Sequence, residues 1–143
     1  MHNVWPVTPR FFATLLLGPV LLVACGGEET RPATWSYISP AIIQPNCATS
    51  SCHNAGAAVA GLDLSTADSG YADLMEQKLA PVEGKPLREE APRQMIVPGN
   101  PEQSRVVNML RAIGAYRMPP DRPLAEADIR LIEEWILLGA EKE

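Results

Sequence analysis

Cys47-Ala48-Thr49-Ser50-Ser51-Cys52-His53 places two thiols and an imidazole within one short run, and the chemistry assigned to it decides how the rest of the chain is understood. Elsewhere the 143 residues hold only one more cysteine, Cys25, and one more histidine, His2. Both lie in a first segment that reads as an export signal. Arg10 supplies its positive region, Phe11 to Val23 its apolar run, and Leu22-Val23-Ala24-Cys25 its end. That tetrad resembles a bacterial lipobox, which implies cleavage before Cys25 and acylation of its thiol. The alternative is an uncleaved N-terminal anchor; on either reading the chain leaves the cytoplasm. Gly26 after the cysteine, where inner-membrane lipoproteins often carry Asp, leans towards the outer membrane.

The expected organisation is a signal peptide over residues 1–24, a lipid-anchored polar tether over 25–34 and one folded domain over 35–143. Removing the signal takes away Arg10 and no acid, so the formal charge moves from −5 to −6. A charge of that sign excludes nucleic acid as the expected partner. The same cut removes Trp5, Phe11 and Phe12, leaving Trp35, Trp135, Tyr37, Tyr71 and Tyr116 as the aromatic set. An aliphatic core suffices in many small proteins, and a large apolar cofactor is another way to fill so lean an interior.

With His2 gone, no site needing two imidazoles can form, which closes the blue-copper arrangement. Structural zinc wants four Cys or His ligands, and only Cys47, Cys52 and His53 are at hand. A Cys nucleophile with its base next to it in sequence lacks an orienting third group. Two readings of the run stay open. In one, both thiols are linked covalently to a haem and His53 takes the iron from one face, although the usual spacing is Cys-x-x-Cys-His and here four small residues intervene. In the other, the thiols of an exported protein form a disulfide and His53 is a turn residue. Copper carriage by Cys47, Cys52, His53 and Met118 is a third, smaller possibility, since soft ligands suit Cu(I).

A six-coordinate electron-transfer iron needs a second axial ligand. Met118 is the candidate, because it lies in Tyr116-Arg117-Met118-Pro119-Pro120, a turn stiffened by prolines, whereas Met75 and Met109 fall on helix faces. As the bland alternative, Met118 plugs the side of the core.

The periodicity predicts an all-α domain of four or five short helices joined by long Pro/Gly-rich loops. The last helix starts near Ala125 and points Ile129, Ile132, Trp135, Ile136 and Gly139 one way, with the small Gly139 allowing another backbone to approach. Another begins at Asn100-Pro101-Glu102-Gln103, buries Val106, Val107, Leu110 and Met109, and ends at Gly114. A third runs from about Thr66 to Leu79 with Ser65 as cap and Tyr71, Leu74 and Met75 inward. The first carries Ile38, Ile42 and Ile43, and Pro45 is expected to end or kink it before Cys47. Residues 80–99 read as loop, with a brief extended piece over Gln94 to Val97. Arg111, Arg117 and Arg122 near the Met turn read as mostly solvated, with a haem propionate or an acidic redox partner as the alternative, and Asp128, Glu133 and Glu134 as a wet helix face.

Taken in order, Ile38-Ser39-Pro40, Cys52-His53, Gly61-Leu62-Asp63-Leu64-Ser65, Val97-Pro98-Gly99-Asn100-Pro101-Glu102-Gln103-Ser104, Arg117-Met118-Pro119-Pro120 and Trp135-Ile136-Leu137-Leu138-Gly139-Ala140 resemble the class I mono-haem cytochrome c family. The likeness is to the small cytochrome c-like lipoprotein domains of planctomycete and myxobacterial type, and it covers most of residues 36–140. The Cys-x4-Cys spacing is its clearest departure. The resemblance implies one covalently bound haem c, with Cys47 and Cys52 as thioether links, His53 as proximal ligand and Met118 as distal ligand. It further implies single-electron transfer to a redox partner protein, no enzymatic activity, and a place on the periplasmic side of the cell envelope, attached to the membrane through Cys25.

Overall fold

In the computed structural model of the chain, residues 1–2, 31–76 and 94–143 are described; the signal, Cys25, most of the tether, Leu79 and the loop expected over residues 80–93 lie outside them. The described part is all-α, with no strand. Helical residues run without a break from Trp35 to Cys47 as α1 (Trp35–Ile38), a widened π-turn (Ser39–Ile43) and α2 (Gln44–Cys47). After the cysteine loop come α3 (Ala67–Glu76), α4 (Arg105–Arg111) and α5 (Glu126–Leu137). Single 3-10 turns sit at Val59–Gly61, Pro101–Gln103 and Gly114–Tyr116. Among the described residues no helix is long and apolar enough to cross a membrane.

The widened turn corrects the expectation for Pro45. A proline ring inside an ordinary α-turn collides with the carbonyl four residues back and removes a hydrogen bond. Here the Gln44 N–H reaches five residues back to the Ser39 carbonyl, which loosens the spiral where that collision would fall. Side chains add their own bonds: Gln44 Nε2 donates to Ser39 Oγ at 3.1 Å and Asn46 Nδ2 to the Ile42 carbonyl at 2.8 Å. The helix therefore passes through Pro45 and delivers Cys47 at its end.

Other boundaries shift for equally local reasons. Thr66, not Ser65, caps α3: its Oγ1 accepts from the Ser69 N–H at 3.1 Å and the Ser69 hydroxyl faces the Thr66 N–H at 3.4 Å. Asn100 does cap a turn, accepting from the Gln103 N–H at 3.2 Å, but that turn closes at Gln103. Ser104 is extended, and α4 starts only after it. The same helix stops at Arg111, and Gly114, at φ 75°, opens a separate turn. Gln94 to Val97 is non-helical and lies beside the start of α4, with its Gln94 and Met95 carbonyls accepting from the Arg105 and Val106 N–H groups.

The core is aliphatic around an aromatic centre. Ile38, Ile42, Ile43, Leu62, Leu64, Leu74, Ile96, Val107, Leu110, Ile129, Ile132 and Ile136 are all buried. Trp35 stacks on Trp135 with ring centroids 5.0 Å apart, and Tyr71 meets both edge-on at 5.9 and 6.4 Å. The first and last helices thus join through these tryptophans and not at Gly139. A Cβ on Gly139 would meet nothing nearer than the Glu141 side chain at 3.8 Å, so its φ of 112° is what calls for glycine there. The close approach falls at Gly70, where a Cβ would lie 3.4 Å from the Trp35 ring and 3.5 Å from the Leu64 Cα. Leu131, assigned to no face by the sequence pattern, is buried as well.

Candidate functional site

The loop that follows α2 is held by its own backbone. The His53 N–H donates to the Cys47 carbonyl at 3.1 Å and the Cys52 N–H to the Thr49 carbonyl at 3.0 Å, so the four intervening residues fold into a closed bulge between the thiols. Their small side chains make such a bulge possible: Ala48 packs lightly on the core and Thr49, Ser50 and Ser51 stay exposed. Beyond it, the Val59 N–H donates to the Cys52 carbonyl at 3.1 Å and the Leu64 N–H to the His53 carbonyl at 2.7 Å. Cys47, Cys52 and His53 are thereby brought together, each half-buried. Both thiols are free. Burial, with Cys52 close by, pushes the Cys47 thiol up to about 11.

The imidazole is oriented by a backbone group. His53 Nδ1 lies 2.9 Å from the Val59 carbonyl oxygen. A carbonyl can only accept, so Nδ1 carries the proton and, in the neutral ring, Nε2 keeps a free lone pair. This is the arrangement in which a histidine presents Nε2 to a metal while the other nitrogen fixes the ring and raises its basicity. Sequence reasoning missed Val59, because a backbone acceptor leaves no trace in residue type.

Met118 lies in a separate segment. Its N–H donates to the Met109 carbonyl at 3.0 Å, tying the turn to the end of α4, and its side chain is half-buried. Arg117 locks the same turn by donating to the Pro119 and Pro120 carbonyls at 3.3 and 3.0 Å. Among the described residues Met118 and His53 share no hydrogen-bonding partner, so the structure brings three of the four expected haem residues into one loop and places the fourth in another. Cys25 lies outside the described residues.

The remaining charges are paired more than the sequence suggests. Arg111 binds both carboxylate oxygens of Glu126, at 3.1 and 3.2 Å, and also reaches Glu133 at 2.8 Å. Asp128 forms an ion pair with Arg31. Of the acids expected on a wet face, Glu133 and Asp128 are therefore engaged, and Arg111 is not a free cation. A groove of about 580 Å3 between the Pro101–Gln103 turn, α4 and α5 is lined by Pro101, Glu102, Val107, Asn108, Arg111 and Glu133, none of them an expected ligand. Among the described residues no three His, Cys, Asp or Glu side chains converge as a metal cage.

Among the described residues, large apolar side chains left in water mark three places besides Met1: Val59, the pair Ile113 and Tyr116, and the pair Leu137 and Leu138. Val59 belongs to the loop of His53. Ile113 and Tyr116 belong to the segment that leads into Met118. Two of the three apolar exposures therefore fall where an expected iron ligand is carried. No protein-family model, curated protein or solved structure matches this chain.

Proposed function

We propose that the chain is a lipid-anchored, mono-haem c-type cytochrome domain that passes single electrons to a redox partner protein on the periplasmic side of the cell envelope. The observation that carries this reading is the His53 ring, in the same loop as two free thiols, with Nδ1 committed to Val59 and Nε2 left for iron. The donor set suits the group. Cys47 and Cys52 would hold the group covalently through their sulfurs, and His53 and Met118 would supply the imidazole nitrogen and thioether sulfur to its iron. Val59 beside His53, and Ile113 and Tyr116 ahead of Met118, leave apolar surface in water that a bound macrocycle would have reason to cover.

When bound, haem supplies a one-electron couple between Fe(II) and Fe(III). A ligand pair of one thioether and one imidazole would favour the reduced ion relative to two imidazoles, giving a comparatively high potential. With His53 and Met118 both committed to the iron, the group would keep no open position for a substrate, and the reading is of a carrier rather than an enzyme. Acylation at Cys25 tethers it to a membrane, the outer one by the Gly26 criterion.

The test is a visible spectrum of the protein produced with periplasmic cytochrome maturation machinery. Sharp reduced-state bands that survive acid-acetone extraction are the expected result. A colourless protein without free thiols would replace this reading with a haem-free, disulfide-closed lipoprotein module. In the coloured protein, Met118→Ala is expected to keep the haem and lose the weak near-infrared sulfur-to-iron band, whereas an unchanged band would move the distal role to Met95 or Met109.

A further inference from the structure

Ala58 and Ala60, on either side of Val59, both adopt left-handed backbone, at φ 37° and 57°, and Gly61 follows at 75°. Alanine has no side-chain hydrogen bond to offset that conformation, and non-glycine residues avoid it because Cβ crowds the following carbonyl. Two such residues flanking one carbonyl are an arrangement that persists only when the surroundings impose it, and strain of this kind gathers at functional positions. Here the surroundings are visible. Asn54 Oδ1 accepts from the Gly56 and Ala57 N–H groups at 2.9 and 2.7 Å, and the Asn54 carbonyl accepts from Ala58 at 2.8 Å. The Val59 N–H is fixed on the Cys52 carbonyl. With both faces of the loop tied, positive φ on either side of Val59 turns its carbonyl onto His53 Nδ1, where it also accepts from the Leu62 N–H at 3.3 Å.

We infer that Ala58 and Ala60 are positioning residues for the His53 imidazole: their left-handed backbone aims the Val59 carbonyl so that the ring is held with Nε2 outward before any metal arrives. This role rests on His53 being an iron ligand as proposed above, but the geometry exists in the chain without the group. A pre-set ring spares the ligand its rotamer search and keeps imidazole basicity constant through electron exchange.

The experiment is nitrogen-15 NMR of the haem-free full chain, reading the His53 ring tautomer and the exchange rate of its Nδ1 proton, with the potential of the haem-loaded protein as a second measurement. Wild-type protein is expected to show the Nδ1–H form alone, and the Nε2–H form would overturn the inference at once. Ala58→Gly and Ala60→Gly keep positive φ at lower cost, so a raised Tm and an equally protected Nδ1 proton are expected. Ala58→Val and Ala60→Val oppose positive φ; they are expected to mix the tautomers, speed exchange by about tenfold and raise the potential, since a lost Nδ1 bond makes the ligand less basic. Valine variants that lose Tm but keep the wild-type tautomer, or glycine variants that loosen the ring, would overturn it. Should the valine variants not fold, the glycine pair still decides. A mixed tautomer in the haem-free wild-type chain of a protein that does become coloured on maturation would refute the clamp alone, and a single tautomer in a protein that stays colourless would refute the haem alone.

Discussion

Ser104→Ala offers the sharpest check on how the second half of the domain is built. Ser104 is fully buried, at 0% exposure, yet polar. Its hydroxyl oxygen accepts from the Val97 N–H at 2.9 Å and its proton goes to the Asn100 carbonyl, also at 2.9 Å. The single oxygen thereby ties both ends of the Val97–Asn100 bend to the start of α4. Although Ser104 stands at the helix N-cap, its side chain makes no capping bond, so no capping loss enters. Alanine preserves the volume to within one oxygen atom, and the cavity contribution is small. What is lost is one N–H and one C=O partner in a place closed to water, which costs about 2 kcal/mol. For a domain of this size that is a fall in Tm of roughly 8 °C. Denaturant unfolding followed by tryptophan fluorescence reads it directly, because Trp35 and Trp135 are both buried. Asn108→Ala, at an exposed position on the same helix, serves as the control and is expected to cost far less. A Ser104→Ala protein within about 0.5 kcal/mol of wild type would refute the reasoning that a buried hydroxyl organises this bend.

Three further outcomes are expected. Gly70→Ala should be neutral or stabilising by up to about 1 kcal/mol, since helix propensity is gained and the new Cβ reaches only ordinary contact with Trp35 and Leu64, whereas Gly70→Val should cost about 1–3 kcal/mol by pressing on them; unfolding midpoints decide. With its thiol at about 11, Cys47 has about one molecule in a thousand ionised at pH 8. After allowing for the greater nucleophilicity of a more basic thiolate, iodoacetamide should modify it about twentyfold more slowly than a free cysteine peptide, as peptide mass mapping over time would show. Arg111 holds the Glu126 carboxyl below its usual 4.5, so the stability it contributes is present above that value and fades as pH falls beneath it. Arg111→Met should therefore flatten the acid side of a plot of denaturation midpoint against pH, by a small amount because the pair is exposed.

The last helix was readable because Ile129, Ile132, Trp135 and Ile136 recur at helical spacing with acids between them, and burial follows that period. Pro45 misleads because the rule against proline assumes α-geometry, and one turn of wider spiral removes the clash. Gly139 and Gly70 illustrate a related ambiguity: glycine marks either a positive φ or a close neighbour, and only coordinates separate the two. In the candidate site, Cys47, Cys52 and His53 are adjacent in sequence and so had to be adjacent in space. The Val59 carbonyl was invisible, since every residue has one, and Ala58 and Ala60 were the more so because alanine predicts the opposite backbone. For Met118, the proline-rich turn was legible, but its relation to His53 depends on long-range packing that no local pattern encodes.

The pairing of Trp35 with Trp135 also orders events in time. These rings are a hundred positions apart, and closing so long a loop is slow compared with forming any single helix. A ribosome that has made α2, the thiol-bearing bulge and α3 has given Trp35 its edge-on neighbour Tyr71, but the stacking partner Trp135 comes only once α5 has emerged. Whatever is joined to Cys47 and Cys52 before that moment meets an open chain, and whatever arrives afterwards meets a closed one.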